Sequence, residues 1–178
     1  QATVATETVL PRVSYTRSYS PTDTGLSALM QQFAQEHSGV FGVSMIELTG
    51  QGRRASYNDT KSFTTASTYK LFVAYSALKR VEEGKWHWTD QITGGRNLST
   101  CLDDMIVKSD NACGAALLLK IGDPITDEIH AIGCVNSSFR GNDGIKTTAA
   151  DLALFLAELH TGQILTQQTS RNLLINAM

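Results

Sequence analysis

The chain has few of the features that mark nucleic-acid binding, membrane spanning or metal-dependent folding. No basic run occurs and the 178 residues carry a formal net charge of -2, so no electrostatic footprint for nucleic acid is present. No apolar stretch approaches the roughly 20 residues that a membrane helix needs. Three cysteines (Cys101, Cys113, Cys134) are too few for a disulfide framework, and their odd count leaves at least one thiol free. Cys101 and Cys113 read as apolar helix filling. No CxxC pair occurs and the four histidines lie far apart, so no local zinc signature is present and neither a metal nor another cofactor is expected. The absence of an initiating Met and of a signal-type apolar segment reads as a start at a mature end or at an engineered boundary.

What is present describes an ordinary globular protein. Hydrophobic residues make up 42% and charged residues 18%, in a length that suits one domain with a real core. Residues 1–21 are rich in Thr, Ser and Val without periodicity and read as an extended lead-in or linker, with one domain over 22–178. Asp23 is placed to cap a helix carrying Leu26, Leu29, Met30 and Phe33 on one face. "VFGVSMIEL" (40–48) and "RRASYN" (53–58) read as antiparallel strands around Thr49-Gly50-Gln51-Gly52.

Beyond residue 60 the signal is helical almost to the end. A helix from about 67 to 83 stops at Gly84. Ser99 is placed to cap a short helix with Leu102, Met105 and Ile106. "NACGAALLLKI" is apolar enough to be buried on most sides. Asp123-Pro124 opens a helix that Gly133 ends. Thr148-Ala149-Ala150-Asp151 is a capping box for "DLALFLAELH", closed at Gly162, and Thr166 caps a last helix.

Two serines stand three residues before a lysine: Ser67/Lys70 and Ser76/Lys79. Roughly one such match is expected by chance in a chain this long, so context must separate them. Nine residues are two and a half helical turns, which points the two serines in opposite directions. Ser67 lies at the helix start, where unpaired N–H groups and the positive dipole end favour developing negative charge. Lys70, one turn on, is in reach as the base a weakly nucleophilic hydroxyl requires. Ser76 and Lys79 have no such setting. A second motif, Ser109-Asp110-Asn111, falls between two helices. Its serine is suited to proton relay and its asparagine to holding a substrate amide, while Asp110 suits the turn itself.

With S-x-x-K followed by S-D-N, the chain resembles the class A β-lactamases and penicillin-binding D,D-peptidases. The resemblance covers residues 25 to 178 as an order of elements: first helix, "FGVSMIEL…ASYN", "FTTASTYK", "LDDMIVKSDN" and "TTAADLALFLAEL". It implies an α+β, predominantly helical fold with an N-terminal β-hairpin and an all-α subdomain. By the same resemblance Ser67 is the acylated nucleophile, Lys70 its base or relay, Ser109 a proton shuttle and Asn111 a substrate-binding residue. The implied substrates are β-lactams or D-Ala-D-Ala peptides, outside the cytoplasm of a bacterium.

Two departures qualify that picture. The family's lactamases carry a water-activating glutamate in a long loop before the helix that here starts at Thr148. The corresponding "CVNSSFRGNDGIKT" holds Asp143 as its sole carboxylate, so acylation without fast hydrolysis is expected. The third family motif, K-T-G, is also missing. Lys146-Thr147-Thr148 is better explained by the capping box, and His160-Thr161-Gly162 by a helix end. The chain therefore resembles the N-terminal two-thirds of such a protein, without its later sheet strands. Another fragment or a second copy is expected to complete the sheet, whose edges are otherwise unpaired. The alternative is a non-catalytic descendant that binds peptidoglycan peptides or a protein partner.

Overall fold

A computed structural model describes residues 22–142 and 144–178; the expectations for residues 1–21 and for Asp143 lie outside it. The chain opens with helix α1 (Thr24–Glu36), whose N-cap Asp23 accepts a hydrogen bond from the Leu26 amide at 2.9 Å, as its sequence predicts. None of α1 is buried: Leu29 and Phe33, expected to face a core, are 62% and 50% exposed. Strands β1 (Val43–Ile46) and β2 (Arg54–Tyr57) form the expected antiparallel hairpin, in the register Val43↔Tyr57 to Ile46↔Arg54. The start of α1 is stitched to β2, where the Asp23 amide donates to the Arg54 carbonyl and the Ser56 amide to Ser27 Oγ.

The rest of the molecule is arranged around one helix. A single 3₁₀ turn (Ala66–Thr68) leads into α2 (Tyr69–Glu82), which is buried at every position from Phe72 to Leu78. A helix buried all round requires neighbours on every side. These are α3 (Leu98–Val107), α4 (Asn111–Ile121), α5 (Pro124–Ala131), α6 (Ala149–His160) and α7 (Gln168–Ala177). Phe155 of α6 fills the centre, edge-to-face against Phe72 at 5.1 Å and Tyr75 at 5.9 Å. Burial pushes the Tyr75 phenol far above its ordinary range.

Two short ladders escaped the helical reading. Strand β3 (Phe63–Thr64) pairs with β6 (Lys146–Thr147), and β4 (Gln91–Thr93) pairs with β5 (Arg96–Asn97). Lys146 and Thr147 are thus strand residues that precede the helix cap. The cap itself is as expected: Thr148 Oγ1 accepts from the Asp151 amide at 3.1 Å. Asp151 does not reach back to complete the box. Its buried carboxylate turns to the Asn136 amide and to Ser137 Oγ, at 2.9 and 2.7 Å, and so ties down the segment before β6.

Three expected helix starts differ. Asn97, at the end of β5, caps α3 by accepting from the Thr100 amide, where Ser99 was expected. Thr166 does not cap α7; its amide and hydroxyl both donate to Glu82. Asp123 precedes Pro124 but its side chain makes no cap bond. The burial on most sides expected of α4 holds on one face alone, since Leu119 is 85% exposed. Cys101 and Cys113 are buried, yet they are joined in a disulfide between α3 and α4. Apolar filling is therefore corrected to a covalent link, with Cys134 as the buried free thiol.

Candidate active site

The nucleophile candidate is set by the strand before it. Thr64 and Phe63 pair with β6, and the Thr65 amide donates to the Ile145 carbonyl, so the chain enters the 3₁₀ turn from a fixed direction. Ala66 then takes a left-handed backbone (φ +44°), which a residue with a Cβ adopts at a cost of about 1 to 3 kcal/mol. Ser67 follows, exposed at the head of α2.

Lys70 lies beneath it, 2% exposed and with its terminal nitrogen surrounded by acceptors. Nζ donates to the Ser109 carbonyl at 2.6 Å, to Asn111 Oδ1 at 2.7 Å and to Ser109 Oγ at 2.9 Å. A fourth, longer contact of 3.4 Å reaches Ser67 Oγ. All four acceptors are uncharged. The structure thus brings together the four residues that the motifs single out, around one buried nitrogen.

Ser109 is left-handed as well (φ +55°), so two of the three non-glycine residues with positive φ among the described residues belong to this site. The short turn between α3 and α4 is then closed by Asp110, which caps α4 by accepting from the Cys113 amide at 2.7 Å. That bond, followed by the pull of Arg96, holds the Asp110 carboxyl below the ordinary aspartate range. Asp110 therefore has the structural role that its place in the turn suggests.

Gly114 is a site residue that the motifs do not flag. A Cβ there would lie 2.8 Å from the Tyr69 hydroxyl and 3.1 Å from Lys70 Cε, so α4 packs against the lysine only because position 114 carries no side chain. The signal was available as a glycine inside an apolar helix, where close packing is the usual reason.

The second serine–lysine pair lacks this setting. Ser76 is fully buried with no hydrogen-bond partner for its hydroxyl, and Lys79 pairs with Glu83 and Glu128 at the surface. His160-Thr161-Gly162 is the C-terminal end of α6, with Gly162 at φ +74°. No cluster of metal-ligating side chains occurs among the described residues.

An exposed serine hydroxyl over a buried lysine, joined to a Ser-x-Asn turn on a helical scaffold, defines a serine-hydrolase type of site. The chain belongs to the β-lactamase enzyme family, whose family model matches residues 25–178. A β-lactamase from Xanthomonas campestris pv. campestris is similar at 25% identity and a TM-score of 0.75, over 88% of this chain and 69% of that one. An ancestral class A β-lactamase is similar at 26% identity and a TM-score of 0.74, over 85% and 70%. PBP-A has a TM-score of 0.79 over 90% and 69%, at 20% identity, a likeness of fold. No curated protein matches the chain.

Proposed function

We propose that the chain is a serine acyl-transferring hydrolase of β-lactamase/penicillin-binding type, acylated at Ser67 by β-lactams or D-Ala-D-Ala-like peptides and slow to release the acyl group. The observation that carries this reading is the contact set of Lys70. Two of its acceptors, the Ser109 carbonyl and Asn111 Oδ1, can only accept, so they fix two N–H bonds of the amine in any protonation state. The remaining direction is shared by two hydroxyls, Ser109 Oγ at 2.9 Å and Ser67 Oγ at 3.4 Å. A neutral Lys70 therefore has its lone pair where either hydroxyl can donate to it.

The reaction follows from that sharing. Ser67 Oγ attacks the carbonyl carbon while its proton passes to Lys70 Nζ. When the tetrahedral adduct collapses, the C–N bond breaks and the leaving nitrogen takes a proton from Ser109 Oγ, which Lys70 replenishes. The product is an ester on Ser67, with Asn111 at the rim to hold a substrate amide. Hydrolysis of the ester needs a second base near the attacking water, and residues 134–147 contain no glutamate. An extracytoplasmic location in a bacterium is part of the proposal and is supported by the Cys101–Cys113 disulfide.

The small size of the hairpin sheet favours a second component. It has two strands, and Val40, Met45 and Leu48 on or beside β1 are exposed. A strand added by another fragment or a second copy would cover this face.

The test is intact-mass analysis after incubation with a penicillin. The expected result is a stable single adduct mapped to Ser67 and absent from Ser67→Ala. If no adduct forms, alone or with a C-terminal fragment of a family member added, the non-catalytic alternative replaces this reading.

A further inference from the structure

The three short contacts to Lys70 come from Ser109, in the three-residue turn 108–110 between α3 and α4, and from Asn111, the first residue of α4. Such a turn, with Ser109 in a left-handed conformation, has little intrinsic reason to hold three acceptors to a few tenths of an ångström. It is held from both sides by residues outside the motifs.

On the buried side, the disulfide joins Cys101 of α3 to Cys113 of α4, 12 positions apart, and so closes a loop that contains the turn. On the solvent side, Arg96 in β5 bonds Asp104 of α3 at 3.1 Å and Asp110 at 3.3 Å. The two restraints meet at one carboxylate, because Asp110 is also the acceptor for the amide of Cys113 itself. The Asp110 amide in turn donates to the Asp104 carbonyl at 3.1 Å. Neither helix can slide or rotate against the other without breaking a covalent bond or an ion pair.

We propose that the Cys101–Cys113 disulfide and Arg96 are positioning residues that clamp the Ser109–Asn111 turn, keeping its three acceptors on Lys70 and hence Lys70 in line with Ser67. The catalytic consequence rests on the proposed acylation of Ser67; the geometric one does not. Displacing a catalytic group by about 1 Å can cost on the order of 10²-fold in rate, so a clamp of this kind acts on the chemical step. Its Arg96 arm is half-buried and outside the core, whereas its disulfide arm is part of the core.

The experiment uses the full chain with Arg96→Met and, separately, Cys101→Ala/Cys113→Ala. Three quantities are read: amide exchange at positions 110 and 113 against Leu78 in α2, the NMR signals of the Lys70 ε-methylene, and the acylation rate with a fluorescent penicillin. Both variants are predicted to show exchange at 110 and 113 faster by about tenfold or more and a moved Lys70 signal; protection at Leu78 is unchanged in Arg96→Met and falls by less than that at 110 and 113 in the cysteine variant, whose side chains share the core with Leu78. Acylation should slow by roughly tenfold or more at saturating penicillin, with the half-saturating concentration little changed. Unchanged exchange and unchanged Lys70 signals in both variants overturn the clamp, whatever the acylation rate. A wild-type chain that takes no acyl group overturns the proposed function, while exchange and NMR still decide the clamp. If the cysteine variant does not fold, Arg96→Met decides alone.

Discussion

Lys70 is a buried amine whose acceptors are all uncharged among the described residues, so its placement depends on packing. Gly114 is where that packing is tightest. Gly114→Ala would drive a methyl into the Tyr69 hydroxyl and Lys70 Cε, and the lysine must move to relieve it. The expected outcome is loss of acylation by about tenfold or more, read from adduct formation over time, with helix content retained because Ala suits a helix better than Gly. Ser76→Ala should do the opposite. It removes a buried hydroxyl that has no partner, so stability in urea should rise by roughly 1 kcal/mol while adduct formation on Ser67 is unchanged. The pair of substitutions separates the two serine–lysine repeats by experiment.

At the scale of elements, the turn between α3 and α4 is also an acid-sensitive joint. Asp110 is held below its ordinary range first by the Cys113 amide and then by Arg96; Asp104 is held low first by Lys108 and then by Arg96. A carboxyl whose folded value is depressed contributes its full stabilisation above its unfolded value, near pH 4, and loses it as the pH falls through the folded value. Amide exchange at position 113, corrected for intrinsic rates, should therefore stay protected above about pH 4 and lose protection below it, before α2 opens.

The same element shows what local sequence could and could not reveal. Caps at Asp23, Asp110 and Thr148 are contacts between residues three apart, and the hairpin is set by strand alternation around a tight turn, so all were legible. Asn97 and Ser99 are both good capping residues, and the choice fell to where β5 ends. The β3–β6 ladder joins Phe63 to Thr147, and nothing local to either two-residue strand announces it. The disulfide depended on how α3 and α4 fold back on each other, bringing two Cα atoms to 5.2 Å. The four motif residues were legible as chemistry; the clamp and Gly114 exist only in the packed arrangement.

On the scale of the whole molecule, α2 carries the core and leads directly out of the turn that holds Ser67, the proposed nucleophile. Its residues from Phe72 to Leu78 are enclosed by five other helices, and Phe155 meets it from α6. Phe155→Ala should cost about 3 to 5 kcal/mol in denaturant unfolding, a large share of the stability of a domain this size. Because the 3₁₀ turn that holds Ser67 runs straight into α2, loss of this core should abolish the adduct and the fold together. The clamp variants should separate them.

Cys134 gives the molecule a built-in gauge of its own integrity. Its thiol is fully buried, donates to the Asp151 carbonyl at 3.4 Å, and is pushed by burial far above the range in which thiolate forms. It is shielded both from alkylating reagents and from attack on the Cys101–Cys113 bond. Only a chain that has opened between α5 and α6 exposes it, and in such a chain a third sulfur can shuffle the native pairing. The rate at which Cys134 takes up a thiol reagent thus clocks the opening of the helical body, and a permanently trapped wrong disulfide is the mark of a chain oxidised before that body had closed.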